Sequence, residues 1–331
     1  MQKATDLLKK ISFIILKLWK VAAVSVGSIV IVGMILVIMA VRAAEPTSEV
    51  TPPTQKVVHQ AGIDKVAVVY MDGVIMDDFS EGGFGATGGV SAKKMKTLFD
   101  YLDKTDEVKA VVLRINSPGG AVVASDDIAR RVKELKSKKP IVTSMGDTAA
   151  SGGYYIAANS NKIVANPSTI TGSIGVIAQF PKLSGLYDKL GIEMRTFKSG
   201  EFKDIGSATK TLSKEEEIIL NSVITDSYDQ FVQTVAAGRQ MDEAKVRQLA
   251  DGRIYTGKQA LDKGLVDKLG NLDDSIELAA SLAGVKDPTV VEYSTQSFIE
   301  SLFSSAIQVS PLQSIKEVLP NKSGVYYLWG M

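Results

Sequence analysis

The sequence predicts an α/β domain with a largely parallel sheet, preceded by one membrane-spanning helix. Three observations carry this. Short β-branched runs alternate with amphipathic stretches of helical spacing, the pattern of strand-helix units in a parallel sheet. A run of 21 residues without a charge, Val21 to Val41, precedes them. Hydrophobic residues make up 45% of the 331-residue chain, ample for the core of one large domain or two ordinary ones.

At about 1.5 Å rise per residue the Val21 to Val41 run spans roughly 30 Å, the thickness of bilayer hydrocarbon. A core helix would carry charges on its outer face, and the run has none. Lys3, Lys9, Lys10, Lys17 and Lys20 precede it against a single acid, Asp6, while Arg42 is the nearby base that follows. The positive-inside rule therefore leaves residues 1–20 in the cytoplasm and exports what lies beyond the span. A cleaved signal peptide is the rival reading, because Met39 to Ala44 contains small residues. The apolar run is longer than the roughly 7–15 residues of a signal sequence, which favours a retained anchor.

Residues 42–62 turn polar, with Pro46, Pro52 and Pro53 among Thr, Ser, Glu and Gln, and read as an extended stalk. A domain over residues 63–288 follows. Lys65 to Met71, Val108 to Ile115 and Ile141 to Met145 are strands, and Asp127 to Lys138 is one of the amphipathic helices between them. Glu81 to Gly89 holds five glycines in nine residues and reads as a mobile surface loop, with a substrate lid as the alternative. After Leu212 the pattern is mostly helical: Ser213 and Glu216 form a capping box for a helix running toward Ala237, and Met241 to Ala250 and Thr256 to Lys263 continue the series. Residues 289–331 form an extension ending in Tyr326-Tyr327-Leu328-Trp329, an edge strand or a subunit contact.

Composition narrows the chemistry. Net charge is +1, so no global field favours nucleic acid or an anionic partner. Cysteine is absent, which removes disulfides, thiolate metal sites and cysteine nucleophiles together, and makes zinc an unlikely cofactor. There is one histidine, His59, and it lies in the proline-rich stalk.

Two small-residue clusters fall just beyond strands, where α/β folds place their active sites. Asn116-Ser117-Pro118-Gly119-Gly120 follows the second strand, and its glycines would let backbone N–H groups approach a substrate, as in an oxyanion hole or a phosphate nest. An ordinary turn is the bland alternative. Ala149-Ala150-Ser151-Gly152-Gly153-Tyr154-Tyr155 follows the third, and a serine at a strand-to-helix turn exposes its oxygen beside the next N–H. The alternative is a helix N-cap. A nucleophilic Ser151 needs a base, and a triad would have to use His59 from the stalk. Lysine remains, provided burial and neighbours lower its pKa. Lys203, in the glycine- and serine-rich stretch Lys198 to Ser207 expected after a strand, is the candidate; Lys198 competes, and Glu201 and Asp204 count against Lys203 unless they point away.

Taken together, Asn116 to Gly120, Ala149 to Tyr155, Thr171-Gly172-Ser173-Ile174-Gly175-Val176 and Lys198 to Ser207 resemble the short bacterial form of the signal peptide peptidase A family, membrane-anchored Ser-Lys peptidases of peptidase family S49. The resemblance runs from about Lys65 to Gly270. It implies a Clp protease/crotonase-like fold of repeated β-β-α units. It also implies Ser151 as nucleophile, Lys203 as general base, Ser173 as the partner of the lysine amine, and an oxyanion hole from Gly152 with Gly119 or Gly120. No cofactor is implied. The expected substrates are remnant signal peptides, the expected assembly is a homo-oligomer whose neighbours share Ser and Lys, and the expected place is the bacterial inner membrane with the catalytic domain outside. Phe202 and the extension after Val290 depart from the pattern. A stomatin-associated membrane serine protease shares the fold and dyad; a crotonase-type acyl-CoA hydratase and a non-catalytic membrane scaffold are the readings from other classes.

Overall fold

The structure is a computed structural model that describes residues 54–78, 89–294 and 326–328. The Val21 to Val41 span, and the glycine loop apart from Gly89, lie outside the described residues. Among the described residues no helix is long and apolar enough to cross a membrane.

The domain begins with strands β1 (Thr54–His59), β2 (Lys65–Asp72), β3 (Val74–Met76) and β4 (Gly89–Ser91), then helix α1 (Ala92–Lys104). Strands β5 (Val108–Ser117) and β6 (Gly119–Ala121) lead to α2 (Val122–Lys136), and β7 (Ile141–Ala150) to α3 (Gly152–Ala157). Next come β8 (Lys162–Ala165), β9 (Ile170–Gly172), α4 (Ser184–Leu190), α5 (Lys214–Arg239) and α6 (Glu243–Leu249). The described chain finishes with β10 (Ile254–Thr256), α7 (Gly257–Asp262), β11 (Lys268–Leu269), α8 (Leu272–Leu282), β12 (Thr289–Ser294) and β13 (Tyr326–Leu328).

The main sheet runs β1-β12-β2-β5-β7-β8-β11, and β9 pairs with the far end of β7 and with β10. From β12 to β11 all neighbours are parallel, while β1 adds antiparallel to β12 and β10 to β9. A smaller sheet, β13-β6-β3-β4, stands beside it. Successive strands thus feed first the large sheet, then the small one, then a helix: β2, β3 and α1, then β5, β6 and α2. This is the β-β-α repetition of a Clp protease-like fold.

The central strands read as continuous hydrophobic runs because both faces are covered. Ala67, Val69, Met71, Val111, Leu113 and Ile115 point into the larger core beneath α1, α2, α3 and α5, and their neighbours Val66, Val68, Ala110 and Val112 pack under α8. Helix α1 is opened by Ser91, whose side chain accepts from the Lys94 N–H, and it buries Met95, Leu98, Phe99 and Leu102 on one stripe. Each such side chain contributes about 1.5–3 kcal/mol relative to exposure.

Several boundaries move. Helix α2 starts five residues before Asp127, because the apolar stripe already includes Ala124. Strand β7 continues past Met145 to Ala150, since its second half finds a new partner in β9. Residues 54–59 of the expected stalk form β1, and the first residues of the expected extension form β12 inside the sheet, so the folded domain exceeds 63–288 at both ends. The capping box of Ser213 and Glu216 opens α5, and a second one, Thr256 with Gln259, opens α7.

Candidate active site

The carboxyl end of β7 carries the unusual backbone. Its last residue, Ala150, pairs with Gly172 of β9, and Ser151 follows with φ 52° and ψ −118°. A non-glycine residue in that region costs on the order of 1–3 kcal/mol and persists only where its surroundings enforce it. Here the Ser151 N–H donates to the Gly172 carbonyl at 2.8 Å, and the Ser151 carbonyl accepts from the Tyr155 N–H at 2.8 Å as the first turn of α3. The chain turns around the serine from strand into helix, and its hydroxyl caps neither. Ser151 is 1% exposed, and its Oγ has no hydrogen-bond partner among the described residues.

Glycines surround it for steric reasons. A Cβ on Gly152 would lie 2.5 Å from Ser125 Oγ, 3.2 Å from the Gly120 nitrogen and 3.3 Å from Gly119 Cα. The turn between β5 and β6 is therefore pressed against the start of α3, which brings the Gly120 and Gly152 amides into one place. A Cβ on Gly120 would lie 1.9 Å from the Ile75 carbonyl oxygen, so no other residue fits there. Gly119 adopts φ 107°, and its N–H donates to Ser117 Oγ at 3.1 Å. Both alternatives read from the sequence lie against Gly152, the Gly120 nitrogen at 3.2 Å and Gly119 Cα at 3.3 Å from where its Cβ would be.

Ser173 follows β9 directly, is buried, and has φ 47°; its N–H donates to the Arg253 carbonyl at 2.8 Å. The structure thus gathers Ser151, Ser173, Gly119, Gly120 and Gly152. Lys203 is placed differently. It lies on an arm, residues 173–213, that leaves β9 and returns at α5; residues 188–203 are exposed throughout, and no side chain of α4 is buried. Contrary to the expectation, residues 191–203 form no strand, and no described strand pairs with them. The Lys203 amine has neither a hydrogen bond nor an ion pair among the described residues.

His59 is excluded geometrically. It sits on β1, four strand spacings or about 19 Å from β7, and is paired at 3.1 Å with Asp287. One further residue at the site, Ser125, went unmarked in the sequence, and Asn116 and Thr171 were marked only as members of motifs. Ser125, on the buried face of α2, has an Oγ beside Gly152 with no hydrogen-bond partner among the described residues, and its signal is a serine within the apolar stripe Ala124, Ile128, Ala129. Asn116 Oδ1 accepts from the Thr148 N–H at 3.1 Å and Thr171 Oγ1 donates to the Ala149 carbonyl at 2.6 Å, so both fix the segment leading into Ser151.

The expected edge strand at the C-terminal extension is present. Strand β13 pairs antiparallel with β6, setting Tyr327 opposite Gly120 and Leu328 opposite Gly119. An extended peptide segment therefore already lies along the glycine strand.

The family model of Peptidase family S49 matches residues 133–286, and that of Clp protease matches residues 87–170. The chain is 47% identical over 211 residues to a Synechocystis protein named "Putative protease", covering 63% of this chain and 76% of that one. It is 39% identical over 248 residues to "Putative signal peptide peptidase SppA" of Enterococcus faecium, covering 75% and 71%. It is also 35% identical over 241 residues to "Serine protease SPPA, chloroplastic" of Arabidopsis thaliana, covering 71% of this chain and 35% of that protein.

Proposed function

The chain belongs to peptidase family S49 and is a serine peptidase, and from that premise we propose that it is a membrane-anchored endopeptidase in which Ser151 is the nucleophile and Lys203 the general base. The observation that carries the assignment is the strained Ser151, buried beside the Gly120 and Gly152 amides. A serine beside closely packed glycine amides suits attack on a carbonyl carbon whose oxygen becomes an anion that backbone N–H groups can receive.

Neutral Lys203 takes the proton from Ser151 Oγ as that oxygen attacks the scissile carbonyl. The N–H groups of Gly120 and Gly152 receive the oxyanion. Lys203 then delivers the proton to the departing amine, and water, deprotonated by the same lysine, hydrolyses the acyl-enzyme. Ser173, beside Ser151, holds the amine in position through its hydroxyl.

Among the described residues of one chain neither Ser151 Oγ nor the Lys203 amine has a hydrogen-bond partner, which supports a dyad shared between copies, the lysine of one arm completing the serine of its neighbour. The antiparallel pairing of β13 on β6 supports an extended peptide substrate bound by strand addition. The span at residues 21–41 would hold the domain on the outer face of a bacterial inner membrane. There, remnant signal peptides are within reach, as the name of the Enterococcus faecium relative suggests. Mixing Ser151→Ala with Lys203→Ala protein tests the sharing. Recovered peptidase activity is the expected result, and none under confirmed co-assembly contradicts it.

A further inference from the structure

The segment that carries Lys203 is tied down by a charge network in which Lys203 takes no part. Its chain neighbour Asp204 accepts on one oxygen, Oδ1, from Lys198 Nζ at 2.8 Å and from Lys210 Nζ at 2.7 Å. Lys198 also donates to the Glu201 carbonyl at 2.7 Å. Lys210 also donates to Glu216 Oε1 at 2.5 Å. Glu216 is 3% exposed, and its other oxygen accepts from the Ser213 N–H at 3.0 Å, so the network ends in the capping box of α5. The two lysines hold the Asp204 carboxyl at about 2, which keeps it ionised and engaged at any working pH.

A carboxylate next to a catalytic lysine is a hazard. An anion within about 4–6 Å favours the ammonium form, and the base acts only when neutral. Spending both lysines on one carboxylate oxygen cancels that anion and fixes its direction. Other charged groups on the arm are Lys182, Asp188, Lys189, the Glu193–Arg195 pair and Glu201, and Lys214, Glu215 and Glu217 stand in the first turn of α5; all are exposed to solvent and so strongly screened.

We infer that Lys198 and Lys210 are positioning residues: by sequestering Asp204 they keep the amine of Lys203 free of its adjacent carboxylate, and thereby set the pH at which the base becomes neutral. This rests on Lys203 being that base. It also gives Lys198, the competing candidate, a different task, since its amine is already committed to Asp204 and the Glu201 carbonyl.

The test is the pH profile of kcat/KM on a peptide substrate for the full chain, comparing wild type, Lys198→Met, Asp204→Asn, their combination, and Lys203→Ala. Lys198→Met moves the acid limb to higher pH by about one unit, a tenfold loss of rate below the limb. Asp204→Asn moves it to lower pH, because two ammonium groups remain without their anion. The combination returns toward wild type. Single variants that move together, or active variants whose limbs do not move, overturn the inference while leaving the base assignment intact. Full activity in Lys203→Ala sinks the base assignment, and loss of activity at every pH in a folded Lys198→Met would make Lys198 the base; either result overturns both.

Discussion

Ser151 and Ser173 each stand one residue beyond a paired strand end, Ala150 and Gly172, and both have left-handed backbone, with φ of 52° and 47°. Two adjacent parallel strands thus each end in a step of positive φ. This places both hydroxyls at the carboxyl end of the sheet, where α/β folds collect their reacting groups. The arrangement needs the parallel pairing of β7 with β9, so it is a consequence of the fold rather than of any local turn.

The glycines at the site should differ in what they tolerate. Gly120→Ala would put a Cβ 1.9 Å from the Ile75 carbonyl oxygen, which is backbone and cannot rotate away. A loss of about 3 kcal/mol or more is expected, at the top of the usual overpacking range. Gly152→Ala meets Ser125 Oγ first, at 2.5 Å. Removing that oxygen with Ser125→Ala should recover part of the lost stability in the double variant. Thermal melts of the variants check this, and a double variant no more stable than Gly152→Ala alone would count against the contact.

The strand at residues 326–328 covers the edge where a substrate would pair. Ending the chain before Tyr326 should raise kcat/KM on short peptides. A rise of about 5-fold corresponds to a tail docked roughly 80% of the time. Unchanged kinetics would mean that β13 does not compete with substrate.

Acid sensitivity should depend on Arg239. Its guanidinium donates to Asp267 Oδ2 at 2.8 Å and to the Gly264 carbonyl at 3.1 Å. Burial alone would raise the Asp267 carboxyl, but Arg239, with the Ile163 N–H and Lys162, brings it below the ordinary value. A depressed carboxyl stabilises the fold above its unfolded pKa of about 3.9 and loses that contribution as pH falls through the folded value. Arg239→Met should cost about 1.5–3 kcal/mol near neutrality by removing the shortest ion pair of the partly buried Asp267, which keeps Lys162 at 3.4 Å and the Ile163 N–H at 2.8 Å. It should also flatten the dependence between pH 5 and pH 3. Urea melts at both pH values measure this, and an equal acid loss in the variant and wild type would refute it.

The sheet was legible because its strands are buried on both faces and its helices carry amphipathic stripes and capping boxes; Lys65 to Met71 and the Ser213 box needed no tertiary information. The glycine clusters were legible as clusters, but their meeting was not. That Gly152 closes on Gly120 depends on how β6 turns beside α3, which no spacing encodes. Ser173 reads locally as a turn serine, and its place beside Ser151 follows from strand pairing across 22 residues. The placement of the Lys203 arm was hardest to read. The sequence suggested a strand before Lys198, whereas the arm is an exposed segment held by Lys198, Asp204, Lys210 and Glu216.

The measurement that bears most directly on the central claim is covalent labelling by a mechanism-based serine-peptidase reagent, with the modified residue found by mass spectrometry in wild type and in Lys203→Ala. The expected result is modification of Ser151 in wild type, slowed by roughly 100-fold or more when the base is removed. Labelling at another residue, or equal labelling of Ser151 in both proteins, would contradict the Ser151 and Lys203 assignment.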